Sequence, residues 1–346
     1  MAKNQFKPEL DRIVPEWSGV VPAAVAACFT CRSGGVSSGP YGTLEGIMGL
    51  NLADHVGDAA ACVRMNRSIL TQCLPAEPKW LRQVHGTTIV NAAELAAGVV
   101  PEADASFTTR PGVVLCVMTA DCLPVLIAEK RGRAVAAVHA GWRSLAAGIV
   151  QKTVERLRAE LNDPVAEFAV WFGPRIGAED FAVGDDVLEA MRETIPGADA
   201  HFCENTKGAH EGKWLADLGG LARAALAAEG VAEADIFDCA LSTYADAARF
   251  WSFRRDGERT GRHAALIWLD APEAACRTSR FSAPPKRTIP VRRTKLTAAP
   301  VIRRISNDPK NSRRRLCFAR LPEGARRHRA YCDGVARARL PHRHDL

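Results

Sequence analysis

The sequence has no apolar run approaching the roughly 18–20 residues that a bilayer span needs, so no transmembrane helix is expected. Its start, Met1 to Asp11, carries charges on both sides of Phe6 and lacks the apolar core of an export signal, so the expected location is the cytoplasm. No internal repeat is present. Histidines number nine in 346 residues, and aromatic residues make up only 6%. Cysteine is not scarce. There are eleven, but without an export signal they read as reduced thiols, most of them buried and a minority free for chemistry.

The apolar share of 47% and charged share of 25% are those of an ordinary globular protein. The net charge of +7 hides an asymmetry. Residues 271–346 hold 20 basic and 5 acidic residues, a net of +15, whereas the first 270 hold 26 basic and 34 acidic, a net of −8. The expected organisation is therefore an acidic body over residues 10–269 and a basic tail over 270–346. The tail is Pro-interrupted and aperiodic, and it reads as disordered. A nucleic-acid arm would need bases to stack on, yet Phe281, Phe318 and Tyr331 are its only aromatics. The tail is therefore read as an appendage rather than a nucleic-acid partner surface.

Within the body, short apolar runs alternate with helical spacing. Val113–Thr119, Val125–Ile127, Ala134–His139, Ala169–Phe172, Asp238–Ser242 and Ala264–Leu269 read as strands. Ser144–Leu161 repeats Leu145, Ile149, Val150, Val154 and Leu157 at helical intervals, and Asp185–Thr194 and Leu215–Glu229 also read as helices. This alternation predicts an α/β fold with a mixed sheet.

Two strand ends carry chemistry. Cys122 follows the first strand in Thr119-Ala-Asp-Cys-Leu-Pro124, and His139 ends a later one before Ala-Gly-Trp-Arg143. Ligands of open α/β sheets bind at the carboxyl ends of strands, so the two are expected at one edge. The helix start after Gly141, together with Arg143, would offer donors to an anion. His85, in Gln83-Val-His-Gly86, sits at an expected tight turn. If His85 joins the other two, the set is two imidazoles and a thiolate with an open position, the donor set of a catalytic zinc site. Without a metal, the same residues are a Cys–His nucleophile and base pair. Spacings of 37 and 17 residues do not decide between these readings.

Gln83-Val-His-Gly86, Ala103-Asp-Ala-Ser106, Thr119–Pro124 and His139–Arg143 together resemble the YfiH-like family, named both for laccase-like multicopper polyphenol oxidase activity and for purine nucleoside phosphorylase activity. Gly34–Gly39, Asn51–Gly57, Gly173-Pro-Arg-Ile-Gly177 and Ser252–Gly257 extend the match in order over roughly residues 10–269. The resemblance implies a single-domain α/β/α sandwich. It implies zinc on His85, Cys122 and His139, which would also be the catalytic residues. It implies phosphorolysis of adenosine, inosine, guanosine and methylthioadenosine, with adenosine deamination alongside, in a monomer or homodimer. The laccase label implies copper instead. A multicopper oxidase needs several His-rich sites, and the body has six histidines, with His201, His210 and His263 in no paired motif.

Arg67 and Arg143 are the expected phosphate donors. His55 is an expected substrate contact, and Asp121 an expected orienting carboxylate with a loop cap as its plainer role. Arg254-Arg255 could reach phosphate or lie solvated. Cys28-Phe-Thr-Cys31 lacks a second pair and reads as strand cysteines. The chain departs from the family where Phe181-Ala182-Val183-Gly184 carries Ala182 in place of the usual Glu. It also departs at Ser242-Thr-Tyr244, at an insertion near Gly42–Gly49, and in its tail.

Overall fold

A computed structural model describes residues 10–206 and 210–271; the tail from residue 272 lies outside the described residues. Strands Leu123–Glu129, Val135–Ala140 and Phe168–Phe172 are buried at every position. A strand buried on both faces must be covered on both, and successive side chains go to opposite sides. Val125, Ile127, Ala136, Val138, Val170 and Phe172 enter one core. Leu126, Ala128, Val135, Ala137, Ala169 and Trp171 enter another.

These strands form the middle of a six-stranded sheet in the order Ile236–Asp238, Phe168–Phe172, Leu123–Glu129, Val135–Ala140, Ala105–Thr108, Ile89–Asn91. The two outermost pairings are parallel and the inner three antiparallel, so the sheet is mixed, as the sequence predicts. A second sheet, wholly antiparallel, runs Arg12–Ile13, Val25–Thr30, His263–Leu269, Leu115–Thr119. Phe29, Leu115, Val117, Ala265 and Ile267 face the first sheet across a shared core. Cys28, Cys116, Met118, Ala264 and Leu266 face outward, beneath helix Ala60–Thr71, which contributes Leu70. Helices Ile149–Leu161, Asp185–Thr194 and Leu218–Ala228 cover the opposite face of the six-stranded sheet. The expected mixed α/β sandwich is thus two sheets deep between its helical layers. None of the described helices is long and apolar enough to cross a membrane.

The helix expected over Ser144–Leu161 is two helices, Trp142–Ala146 and Ile149–Leu161. Gly148 separates them at φ 79°, a left-handed conformation glycine adopts at little cost. The run expected to start at Leu215 begins as strand Trp214–Ala216. Asp217 then caps helix Leu218–Ala228 by accepting the Gly219 N–H. The strand expected over Asp238–Ser242 is confined to Ile236–Asp238, because Ala240 turns the chain at φ 52°. Cys28 and Cys31 are free and buried, and burial pushes both thiols up to about 12.

His263 is fully buried, with Nδ1 donating to the Thr30 carbonyl at 2.9 Å and Nε2 accepting the Trp251 N–H at 2.9 Å. Burial holds its pKa down to about 3. The unfolded chain therefore binds a proton below about pH 6.5 that the folded chain refuses until about pH 3. This contribution is complete above pH 6.5 and is lost as pH falls, by on the order of 3 kcal/mol by pH 4. The gap in Tm between wild type and His263→Gln is expected to narrow from pH 7 to pH 4 in thermal melts; a gap independent of pH would contradict this assignment.

Candidate active site

The site lies where strands of both sheets end. Strand Leu115–Thr119 runs out through Ala120 and Asp121 to Cys122, and strand Val135–Ala140 carries His139. Cys122 precedes Leu123, and Leu123 and Pro124 pair with Ala140 and His139, so sheet register itself sets the thiol beside the imidazole. His85 arrives from a turn with φ 59°. Asp104 shapes that turn. Its fully buried carboxylate accepts the amides of Val84 at 3.2 Å, His85 at 2.9 Å and Gly86 at 2.7 Å. The same carboxylate accepts His139 Nδ1 at 2.8 Å. One side chain therefore positions both histidines.

The result is a cluster of three donors, on His85, Cys122 and His139, all within 4.8 Å of one another. Cys122 Sγ is 3.7 Å from His85 Nε2, and the two imidazoles stand edge to face with centroids 4.7 Å apart. Binding of His139 Nδ1 to Asp104 leaves Nε2 as its free nitrogen, the tautomer a metal ligand requires.

Electrostatics keep the donors reactive. Burial alone would raise the Cys122 thiol, but the positive His139 imidazole and hydrogen bonds from both histidines outweigh it and hold the pKa well below the ordinary thiol range. Burial alone would lower His139, but the Cys122 thiolate and Asp104 raise it. Asp104 is itself held down, because the bonds from His139 and the Gly86 amide exceed the cost of its burial. Without a metal these groups form a thiolate–imidazolium pair. With one, the ion takes the proton's place.

Gly141 closes one side. A Cβ there would meet His85 Cδ2 at 2.6 Å and Cys122 Sγ at 3.1 Å. Gly141 has an ordinary φ of −66°, so alanine brings contact rather than backbone strain. Gly141→Ala is expected to keep the fold, displace the exposed His85 ring and lower metal affinity about 10–100-fold. Competition against a chromophoric chelator measures it; wild-type affinity would contradict the tight packing.

The cluster opens into a cavity of about 650 Å³. Arg67 lines it, with Nε on the Leu52 carbonyl at 2.9 Å, Nη2 3.3 Å from Asp54 and its guanidinium 4.3 Å from the Trp80 ring centroid. Arg143 lines it as an exposed residue stacked on Trp142 at 4.3 Å. His55 also lines it, exposed and 3.5 Å from Asp54. Asp121 is placed differently from an orienting carboxylate. One oxygen accepts Thr243 Oγ1 at 2.6 Å, and the other accepts Ser252 Oγ at 2.9 Å and the Arg254 amide at 2.7 Å, while Asp104 orients His139. Asp121 therefore ties three loops together under the cavity.

Of the arginine pair, Arg254 faces the cavity and donates Nη1 to the Ala182 carbonyl at 2.9 Å. Arg255 turns to the carbonyls of Thr243, Tyr244 and Phe250. Ala182 thus serves this corner through its backbone. The helix after Gly141 spans only Trp142–Ala146, a shorter element than the anion site expected there.

The family described as multi-copper polyphenol oxidoreductase laccase matches residues 26–270. The chain belongs to this laccase-like, YfiH-type family. A relative from Pseudomonas aeruginosa, named purine nucleoside phosphorylase, is 43% identical over 257 residues, covering 74% of this chain and 98% of the relative. The Escherichia coli protein named purine nucleoside phosphorylase YfiH is 43% identical over 260 residues, again covering 74% and 98%. A crystal structure of a Neisseria meningitidis protein superposes with TM-score 0.65 at 44% identity, covering 75% of this chain and 99% of that one.

In this YfiH-type site, sequence reasoning missed Asp104, and it read Gly141 as a helix start rather than as the close wall of the His85–Cys122 pair. Asp104 stood inside a quoted motif, but no local signal shows that a carboxylate 19 residues downstream caps the His85 turn. Arg175, also in a quoted motif, is used structurally, in a two-point ion pair with Asp238 at 2.8 and 2.9 Å.

Proposed function

We propose that the chain is a zinc-dependent purine nucleoside phosphorylase acting on adenosine, inosine, guanosine and methylthioadenosine, with adenosine deamination as a side activity. The catalytic unit is residues 10–269, working in a reducing, cytoplasmic setting. The observation that carries this reading is the His85–Cys122–His139 cluster within 4.8 Å at the floor of an arginine-lined cavity. Two imidazoles and a thiolate are the donors zinc takes in sites that keep a position open. When bound there, zinc would supply Lewis-acid polarisation at the reacting group.

The cavity wall fits the substrates. Arg67, Arg82, Arg143, Arg254 and Arg262 line it against only Asp54 and Asp121, so the field favours phosphate. Trp80, Trp142 and Phe253 offer ring surface to a purine. In phosphorolysis a phosphate oxygen bonds to C1′ of the ribose as the C1′–N9 bond breaks. The electron pair leaves with the purine, which takes up a proton. The arginines hold the anionic nucleophile, and the aromatic rings hold the departing base.

Copper chemistry has one point in its favour, the family description. Among the described residues, however, His85, Cys122 and His139 are the single cluster able to hold a metal, whereas a multicopper oxidase needs several. The deciding experiment incubates purified full-length protein with inosine and phosphate. Hypoxanthine and ribose-1-phosphate in equal amounts support the proposal. Their absence, with oxygen uptake on a diphenol, overturns it.

A further inference from the structure

We propose that Arg262 is the phosphate anchor of this cavity, the guanidinium that takes the inorganic phosphate oxyanion in two-point contact. This rests on the phosphorylase reading and names the group within it that binds the second substrate.

The sheet places Arg262 at the right end. His263 pairs with Thr119 as the last pair between strands His263–Leu269 and Leu115–Thr119. Arg262 precedes that pair, and on the facing strand Thr119 is followed by Ala120, Asp121 and Cys122. Arg262 therefore leaves the sheet beside the segment that delivers the thiol, and it lines the same cavity as the three donors.

The side chain is pinned but not neutralised. Its backbone N–H is held by Asn51 Oδ1 at 3.0 Å. Nη1 donates to the carbonyls of Thr260 at 2.8 Å and Gly261 at 3.2 Å. Among the described residues, Nε and Nη2 have no protein acceptor and no carboxylate forms an ion pair with the guanidinium. The nearby Asp121 is spent on Thr243, Ser252 and Arg254. Burial disfavours the Arg262 charge by more than the nearby Cys122 and Asp121 restore, as for a cation withdrawn from water with no carboxylate in contact with it. Thr119, 1% exposed and lining the same cavity, has a buried hydroxyl with no protein partner. A free guanidinium fork and an unpaired hydroxyl at one strand end are the donors a tetrahedral oxyanion takes up.

The other arginines are less free. Arg67 is committed to Leu52 and Asp54, and Arg82 pairs with Glu102. Arg254 is fixed on the Ala182 carbonyl, and Arg143 stands exposed against Trp142. These shape the field, whereas Arg262 offers unspent donors in a desolvated place, where a charge-assisted bond is strongest.

The test measures phosphorolysis at saturating inosine with phosphate varied, for wild type, Arg262→Gln and Arg262→Lys, with zinc content and thermal melts recorded for each. Arg262→Gln is expected to raise the phosphate KM about 10–100-fold and to leave the inosine KM within about threefold. Arg262→Lys, which keeps the charge and loses the fork, should fall between. A phosphate KM unchanged in both variants overturns the assignment. Calorimetric titration of inorganic phosphate into the zinc-loaded proteins separates the two claims. If wild type binds phosphate and Arg262→Gln does not, the anchor stands even where no ribose-1-phosphate forms and the phosphorylase reading falls. Equal binding by both proteins overturns the anchor alone.

Discussion

Cys122→Ala is expected to purify without metal and to lose phosphorolysis by on the order of 10³-fold or more, beyond the 10–100-fold typical of removing a metal ligand's supporting partner. Cys122 supplies the only anionic donor of the cluster, and its thiolate, together with Asp104, raises His139. Removing it leaves two imidazoles, one of them on an exposed turn, one donor short of the three protein ligands of a catalytic zinc site. The fold should survive, because Cys122 is half-buried at a loop and the sheet register is set by its neighbours Leu123 and Pro124. Metal analysis, an initial-rate assay and a thermal melt on one preparation check all three statements. A metal-free variant with wild-type activity would leave the cluster without a catalytic role.

The sequence made part of this site legible. Cys122 and His139 end apolar, β-branched-rich runs, and strand ends at one sheet edge are where α/β proteins gather ligands. His85 was different. It stands on a turn made by a carboxylate from a distant strand, so neither its spacing nor its neighbours place it, and only the family resemblance brought it in. Arg262 gives no signal because what distinguishes it, having no acid partner among the described residues, is a property of the folded state. Helix Ala60–Thr71 was missed because its start lacks a capping side chain and its apolar stripe is thin, with only Val63, Asn66 and Leu70 buried. Asp185–Thr194 is legible at both ends, because acidic residues fill its first turn and its apolar face is clear. The break at Gly148 was invisible to periodicity because Leu145 and Ile149 keep helical spacing across it.

Asp104→Ala is expected to cost more stability than any other change at the site. The buried carboxylate accepts three amides and an imidazole N–H, and alanine leaves all four unpaired. At about 1 kcal/mol each, discounted little because Asp104 is fully buried, the loss is about 4 kcal/mol. Asp104→Asn separates stability from positioning. With its NH₂ toward His139 Nδ1, its oxygen still accepts the Val84 and Gly86 amides but the His85 amide loses its acceptor, and the imidazole proton moves to Nε2, the nitrogen a metal needs. That variant should fold and bind zinc about 10–100-fold more weakly. Denaturant unfolding of the apoproteins and chelator competition of the holoproteins give the two quantities. Unchanged zinc affinity in Asp104→Asn would mean that Asp104 supports the turn alone.

The most direct test of the whole account is metal analysis of purified full-length protein joined to a product assay with inosine and phosphate. About one zinc per chain, with ribose-1-phosphate formed in proportion to zinc content and lost on chelation, is the predicted result. Full phosphorolysis by metal-free protein, or several coppers per chain with oxygen consumed and no ribose-1-phosphate, would contradict it.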